Sequence, residues 1–279
     1  MNSLTIPVFV ISLSCSVERR KHSIEQLNRL GVSYQIFEAV DGNQISDYEL
    51  FNNPEYGLWE MGSRTRHLNK GEIGCVLSHF KIYQKMVEED IKVACILEDD
   101  AVLQSEFKNF LIPGNLDSIH WELFYLGHHS RFSKKEAWSK NKQKLKLKNF
   151  SAGEPIELPG GSYGYIIKCR AASEILKHGY PIRKSLDHYT GNAPALGIQT
   201  LLLSPPCVHH NYLFNTTIAQ DSEIRYRKSI VELFRSQFRK AYKWVPFLQT
   251  IRVSINTNLN LFLRFLRKKG IIKNSYAKY

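Results

Sequence analysis

Cysteine is scarce in this sequence of 279 residues, and no two cysteines form a C-x-x-C pair. The five are Cys15, Cys75, Cys95, Cys169 and Cys207. Their odd number and wide spacing argue against a disulfide framework and against a structural zinc site. This usage is typical of a protein from a reducing compartment.

Long apolar runs are absent as well. No stretch approaches the roughly 18 to 20 apolar residues that a membrane-spanning helix needs. The apolar run at residues 4–13 has no basic residue before it, and charged residues follow it at once. A secretory signal peptide has the reverse order of charge. We therefore expect a protein that is soluble or peripheral to a membrane.

Acidic residues are almost absent from one end of the chain. Residues 225–279 contain fourteen Lys and Arg but a single acid, Glu232, whereas the net charge of the whole chain is +12. The rest of the chain is therefore close to neutral. The basic residues of this tail alternate with apolar and aromatic ones, which predicts amphipathic helices. The asymmetry indicates an anionic partner for the tail, either a membrane surface, an acidic lipid or a nucleic acid.

The remaining part, residues 1–224, reads as one α/β domain. An apolar run at residues 8–11, a helical stripe at 19–30 and a second run at 34–37 predict a β-α-β unit. Residues 43–70 have no clear period and predict a long loop, and residues 71 to about 90 predict a helix. Further strands are expected at residues 93–97, 123–126, 165–167 and 201–203, a helix at 171–178, and a solvated loop or hairpin at 134–148.

Three consecutive acids follow the apolar strand at residues 93–97, namely Glu98, Asp99 and Asp100. In α/β sheets, ligands bind beyond the carboxyl ends of the strands. Alternation of side chains in extended backbone places Glu98 and Asp100 on the same side. Mn²⁺ or Mg²⁺ would relieve the repulsion between these carboxylates and favours such ligands together with phosphates. The alternative interpretation is a solvated acidic turn.

Weaker signals lie elsewhere in this domain. Two glycines one turn apart, Gly71 and Gly74, begin the long helix and suggest close approach of backbone or ligand, although His79 alone is more often a packed helix histidine. The segment from Gly160 to Tyr165 forms a glycine-rich entry to a strand, whose backbone and aromatic faces suit a sugar. Asp187, taken alone, is more often a helix cap or a surface acid.

Together these segments resemble glycosyltransferase family 25, which contains bacterial lipooligosaccharide galactosyltransferases and related collagen-modifying enzymes. The resemblance covers roughly residues 6–225, and the order and spacing of its segments make it more specific than any one motif. The matching segments are Val10-Ile11-Ser12-Leu13 with Arg19-Arg20, Ala39-Val40-Asp41-Gly42, Gly71-Glu72-Ile73-Gly74-Cys75 with Ser78-His79, Ile96-Leu97-Glu98-Asp99-Asp100, Gly161-Ser162-Tyr163-Gly164-Tyr165 and Asp187.

The resemblance implies a GT-A-like, mostly parallel sheet flanked by helices, a UDP-sugar donor, a Mn²⁺ or Mg²⁺ cofactor and inversion at the anomeric carbon. It implies that Glu98 and Asp100 bind the metal, and that Asp187 is the catalytic base or a metal-side acid. The donor is expected at a set of residues that also includes Glu98. The other members of this set are Ser12, Arg20, Asp41, His79, Gly161, Ser162 and Tyr163.

Two late segments depart from the family pattern. Asp221-Ser222-Glu223-Ile224 stands where the family more often has Ser-Asp-Ile. His209 and His210 have no obvious family equivalent, and either one, with His209 as the first choice, could complete the metal site.

The function that this resemblance implies is transfer of a sugar, galactose first, to a lipooligosaccharide or lipopolysaccharide core. Residues 225–279 would hold the enzyme on the cytoplasmic face of the inner membrane. The alternatives are a non-catalytic protein that binds anionic surfaces or nucleic acid, and a Mg²⁺-dependent phosphohydrolase. The near-neutral domain and the missing recognition motif argue against nucleic acid.

Overall fold

The computed structural model describes residues 5–61, 64–128, 139–147, 149–211 and 214. Its centre is an eight-stranded mixed sheet. In spatial order the strands are β2 (Gln35–Glu38), β1 (Val8–Ser12), β5 (Val93–Glu98), β10 (Gly164–Lys168), β7 (Leu123–Tyr125), β11 (Thr200–Ser204), β9 (Ser151–Pro155) and β8 (Ser139–Lys144).

The other elements are short strand pairs and helices. Two two-stranded sheets join β3 (Leu58–Met61) to β4 (Arg64–His67), and β6 (Ala101–Leu103) to β12 (Val208–His210). The α-helices are α1 (Val17–Leu30), α2 (Asp47–Asn52), α3 (Lys70–Glu88), α4 (Cys169–Lys177) and α5 (Leu186–Gly191). Short 3-10 helices span Gly42–Gln44, Ser105–Leu111, Pro113–Asn115 and Ala193–Leu196.

Helices cover both faces of the sheet because successive strand residues point to opposite faces. On β1, Phe9 and Ile11 join one buried cluster with α3, α4 and α5, whereas Val8 and Val10 join the other with α1. The predicted α/β class, a sheet flanked by helices, is confirmed, but the sheet is not mostly parallel. The sheet is mixed in detail: β2, β1 and β5 run parallel, as do β7 and β11, and the remaining pairs are antiparallel.

The prediction of a long loop at residues 43–70 was wrong. This segment contains α2 and the β3–β4 hairpin, both too short to give a period that sequence reasoning detects. The segment at 134–148 forms a hairpin in its described part, where β8 pairs with β9. The predicted tail at residues 225–279 and its boundary at 224 lie outside the described residues. Within the described part of the chain, no helix has the length and apolar character needed to span a membrane.

Helix α3 is fixed at its start by reciprocal hydrogen bonds. The Asn69 side chain accepts from the Glu72 backbone N–H, and the Glu72 carboxylate accepts from the Asn69 N–H. This capping box satisfies two of the backbone donors that every helix leaves open at its N-terminus. The helix therefore begins at a defined residue and aligns its second turn with the end of β5.

Close backbone approach explains the helical glycine at position 74. A Cβ atom there would lie 2.7 Å from the Val40 carbonyl oxygen and 2.9 Å from the Gly42 nitrogen. The Ser78 hydroxyl, one turn later, accepts a hydrogen bond from the Val40 N–H at 2.8 Å. The loop at residues 40–42 is therefore held directly against α3.

Gly74→Ala should consequently destabilise the fold. Alanine gains about 1 kcal/mol of helix propensity, but the collision is with backbone, and overpacking of this kind costs about 1–3 kcal/mol. Chemical denaturation should show a net loss of unfolding free energy. Gly114→Ala is the matched control, since its nearest neighbour would be Asp117 Oδ2 at 3.9 Å. Equal stability of the two variants would contradict the packing assignment.

Candidate functional site

A cleft opens at the carboxyl edge of the parallel strands β1 and β5. Its walls are the end of β1, the start of α1, the loop at residues 39–43, one face of α3 and the acidic end of β5. The lining residues are Ile11, Ser12, Leu13, Ser16, Arg19, Ala39, Val40, Asp41, Gly42, Asn43, Gly71, Cys75, Ser78, His79, Glu98, Asp99 and Asp100. This is the edge at which α/β sheets bind ligands.

Two acids of the triplet, Asp99 and Asp100, are buried beside Arg19. Asp99 and Asp100 are 5 % and 6 % exposed, and the Arg19 Nη2 lies 2.6 Å from Asp99 Oδ1 and 2.6 Å from Asp100 Oδ2. Burial raises the pKa of both aspartates, while the Arg19 charge lowers it. Buried carboxylates are stable only when a cation compensates them. The solvated acidic turn is therefore excluded, and the site has an affinity for positive charge.

A histidine adjoins Asp100 from the short β12 strand. His210 Nε2 lies 3.4 Å from Asp100 Oδ2. His209, the predicted first choice, instead contacts the Gln104 side chain through its Nε2 at 2.8 Å. Side chains alternate between the two faces of a strand, so His209 and His210 point in opposite directions. In β12, His210 is the residue that pairs with Ala101, next to Asp100.

Glu98 contacts the glycine-rich loop and helix α3. The Ser162 hydroxyl donates to its Oε1 at 3.1 Å, and His79 Nε2 lies 3.5 Å from the same oxygen. Burial, followed by the charge of Asp187, raises the pKa of Glu98 to about 7. Its carboxylate is therefore poorly compensated, so that cation binding would stabilise it.

The raised pKa of Glu98 has a consequence for stability. At pH values between 4.5, the ordinary pKa of a glutamate, and about 7, the folded chain binds more protons at Glu98 than the unfolded chain. Stability is therefore lost as pH rises through this window. Without divalent cations, the free energy of unfolding of Glu98→Gln should equal that of the wild type near pH 4.5. At pH 8 it should exceed the wild-type value by up to about 3 kcal/mol. Urea unfolding at both values tests this, and a difference independent of pH would contradict it.

Asp187 anchors the glycine-rich loop and does not lie apart from the acidic triplet. Its Oδ1 accepts hydrogen bonds from the backbone N–H groups of Gly161 at 3.2 Å and Ser162 at 3.0 Å. Gly161 has φ of 98°, a conformation that favours glycine. The loop thereby carries the Ser162 hydroxyl to Glu98. Tyr163 is 6 % exposed and packs beside His210, so its ring is not an open platform for a sugar.

His79 is fully buried in the wall of the cleft, beside Glu98. Its Nδ1 lies 2.7 Å from the Tyr165 hydroxyl, which in turn lies 2.5 Å from the Tyr83 hydroxyl. Burial lowers the pKa of His79 to about 3, so the ring is neutral. The structure thus places His79 where it acts on Glu98, not where it contacts a donor directly.

The remaining predicted donor residues divide into two groups. Ser12 and Asp41 line the cleft, and the Asp41 side chain caps the short helix at Gly42–Gln44. Arg20 instead donates to the Ser12 carbonyl at 2.9 Å and to Glu38 at 2.8 Å. It supports the wall of the cleft, and its neighbour Arg19 is the arginine that faces the acids.

Sequence reasoning missed three of these contacts. Arg19 was visible only as a member of the Arg19-Arg20 pair, and no local signal distinguished which one faces the cleft. The hydrogen bond from Ser162 to Glu98 joins positions 64 residues apart. Cys75 was not among the predicted site residues, yet it lines the cleft beside His79 and Glu98.

Comparison with known proteins identifies relatives over most of this domain. A family model described as glycosyltransferase family 25 (LPS biosynthesis protein) matches residues 5–190. A glycosyltransferase 25 family member of Anopheles gambiae is 28 % identical over 195 residues, which are 64 % of this chain and 30 % of that protein.

Two human relatives match a shorter part. Procollagen galactosyltransferase 2 is 29 % identical over 126 residues, covering 43 % of this chain and 20 % of its own length. The inactive glycosyltransferase 25 family member 3 is 31 % identical over 129 residues, covering 43 % of this chain and 21 % of its own length. The matches thus span less than a third of each of these relatives.

Proposed function

This chain belongs to glycosyltransferase family 25, and on that premise we propose that it transfers a sugar from a UDP-linked donor to a hydroxyl group of a glycan. The observation that carries the proposal is the buried acidic cluster at the carboxyl edge of β5, which Arg19 compensates and His210 adjoins. A nucleoside diphosphate with its cation supplies the charges that such a cluster accommodates.

The residues present fit a cation of the Mn²⁺ or Mg²⁺ type. Asp100 Oδ1 is buried without a hydrogen-bond partner among the described residues, and its Oδ2 is close to His210. After burial, the charge of Glu98 is the next largest cause of the raised pKa of Asp100, so a cation between the two carboxylates would stabilise both. Asp100, Glu98 and His210 would hold the ion, which when bound neutralises charge that develops on the departing diphosphate.

The nucleotide and the sugar are assigned to opposite ends of the cleft. Ser12 and Asp41, at the ends of β1 and β2, would contact the nucleoside, with Arg20 keeping Ser12 in place. With a cation to compensate Asp100, the Arg19 guanidinium would be able to bind a phosphate oxygen. Galactose is the first choice of donor sugar, in keeping with the name of one human relative.

Asp187 is proposed as the catalytic base. The acceptor hydroxyl loses a proton as it attacks, and a carboxylate beside the reacting carbon accepts it. Attack from the face opposite the leaving group gives inversion. Two backbone N–H groups, those of Gly161 and Ser162, donate to Asp187 Oδ1 and fix its position.

A panel of UDP-sugars tests the reaction directly. Purified full-length chain should release UDP from UDP-galactose in the presence of Mn²⁺, with little release in EDTA. UDP-glucose and UDP-N-acetyl sugars measure the donor preference. Release of inorganic phosphate would instead indicate a phosphohydrolase, and no product from any donor would place the chain with the inactive relative.

The acceptor is proposed to be the core of a lipooligosaccharide or lipopolysaccharide, reached at the cytoplasmic face of the inner membrane. The family description supports this choice, as does the basic, aromatic segment at residues 225–279. Each Lys or Arg near an anionic membrane surface contributes about 1 kcal/mol. No nucleic-acid partner is proposed.

Replacing Arg264, Arg267, Lys268 and Lys269 by Gln should therefore weaken adsorption to anionic vesicles. Flotation with vesicles that contain phosphatidylglycerol measures the bound fraction. A matched variant with Gln at Lys140, Lys142, Lys144 and Lys146 loses the same charge from the α/β domain and should float like the wild type. Equal flotation of both variants, or flotation with neutral vesicles, would contradict the electrostatic role of the tail.

A further inference from the structure

Cys75, His79 and Glu98 bring three metal-binding atoms together in the wall of the cleft. Cys75 and His79 are four residues apart on α3 and so share one face of the helix, and Glu98 ends the neighbouring strand β5. The thiol sulfur, a ring nitrogen and a carboxylate oxygen all lie within 4.8 Å of one another. Ligands around a tetrahedral zinc ion lie roughly 3.4–3.7 Å apart, so small side-chain rotations close this set.

The histidine of this cluster is already oriented as a metal ligand. His79 is fully buried, its Nε2 points toward Glu98, and this nitrogen has no hydrogen-bond partner within the described residues. Its other nitrogen contacts the Tyr165 hydroxyl at 2.7 Å, and the Tyr83 hydroxyl in turn contacts that of Tyr165. An oxygen partner on the second ring nitrogen fixes the tautomer and the orientation of metal-binding histidines.

We propose that Cys75, His79 and Glu98 form a second cation site, separate from the Asp100 and His210 side of the cleft and selective for thiophilic ions of the zinc class. Thiolate and imidazole ligands favour Zn²⁺ and Co²⁺ over the harder Mn²⁺ and Mg²⁺. Three protein ligands with a fourth position open toward the cleft are a common zinc arrangement.

The two sites compete because both use Glu98. This consequence rests on the proposed function: a zinc-class ion at Cys75 and His79 withdraws Glu98 from the donor's cation. Zn²⁺ therefore inhibits the Mn²⁺-dependent transfer of sugar. Exposure of the cell to excess zinc would then reduce glycan synthesis at this step.

Co²⁺ titration of the full-length chain tests the site without relying on activity. Binding to Cys75 should produce a near-ultraviolet thiolate-to-cobalt charge-transfer band that saturates at one ion per chain and disappears when Zn²⁺ is added. Cys75→Ser should abolish the band. Cys169→Ser, which removes a thiol from α4 that contacts the Met86 carbonyl, should retain it. No band with the wild type would overturn the proposal.

Substitutions of His79 and of Tyr165 should weaken Zn²⁺ binding to different degrees. His79→Gln removes a ligand, and Tyr165→Phe removes only the hydroxyl that orients it, which should weaken Zn²⁺ affinity by about 10- to 100-fold. The concentration of Zn²⁺ that inhibits transfer should rise by the same factor in Tyr165→Phe. If neither Tyr165→Phe nor His79→Gln changes the Zn²⁺ affinity, His79 is not a ligand of this site.

Alkylation of the wild-type chain provides a measurement that does not depend on folding of variants. Mass spectrometry after treatment with iodoacetamide should show that Zn²⁺ protects Cys75 and leaves the exposed Cys15 reactive. Equal labelling of Cys75 with and without Zn²⁺ would overturn the site. A cobalt band without any sugar transfer would refute the proposed function alone, whereas transfer without a cobalt band would refute the second site alone.

Discussion

Asp100→Asn is expected to reduce sugar transfer by about 10³-fold or more, because it removes a charged ligand of the cation that neutralises the leaving diphosphate. Asp100 Oδ1 has no hydrogen-bond partner among the described residues, and Oδ2 lies between Arg19 and His210. Asparagine preserves the shape of the side chain but not its charge. Initial rates with UDP-galactose over a range of Mn²⁺ concentrations measure the effect.

Asp90→Asn is a suitable control for this substitution. Asp90 is exposed, is not one of the residues that line the cleft, and has φ of 53°, a conformation that asparagine also tolerates. Its activity should match that of the wild type. Asp100→Asn should also lose any increase in melting temperature that Mn²⁺ confers on the wild type. Wild-type turnover in Asp100→Asn would refute the metal assignment.

Asp187→Asn is expected to lower the turnover number by about 10²- to 10⁴-fold while leaving the KM for the donor nearly unchanged. The amide oxygen still accepts from the Gly161 and Ser162 N–H groups, so the loop and the Ser162 contact with Glu98 persist. What the variant lacks is the basic carboxylate. Steady-state kinetics with a fixed acceptor separate the two parameters.

Asp187→Ala distinguishes catalysis from positioning at the same residue. It removes the loop anchor as well as the base, so the KM for the donor should rise in addition to the fall in turnover. If Asp187→Asn were fully active and only Asp187→Ala impaired, Asp187 would be a positioning residue and another group would be the base. Glu98, whose pKa burial raises to about 7, would be the first candidate.

The parts of the fold that local pattern determines were predicted well. The β-α-β opening, the long helix α3 and the acidic end of β5 each have a periodic or apolar signature longer than a turn. The elements of residues 43–70 were missed because a six-residue helix and a hairpin of two four-residue strands carry no such signature. The mixed character of the sheet depends on β10, β9 and β8, whose direction local sequence does not encode.

The site shows the same division between local and long-range information. Glu98 and Asp100 were identified because three adjacent acids after a buried strand are conspicuous in sequence. Arg19 joins Asp100 across 81 residues, and His210 reaches it only through the register of β12 on β6. Such contacts depend on tertiary packing. For the same reason Tyr163, a plausible sugar platform in sequence, proved to be a buried packing residue.

The central claim is that the acidic end of β5 holds a divalent cation to which the diphosphate of the donor binds. Calorimetric titration of UDP into the full-length chain, with Mn²⁺ and then with EDTA, tests it most directly. The account predicts measurable binding of one UDP per chain with Mn²⁺ and none with EDTA. Equal affinity under the two conditions, or no binding under either, would contradict it.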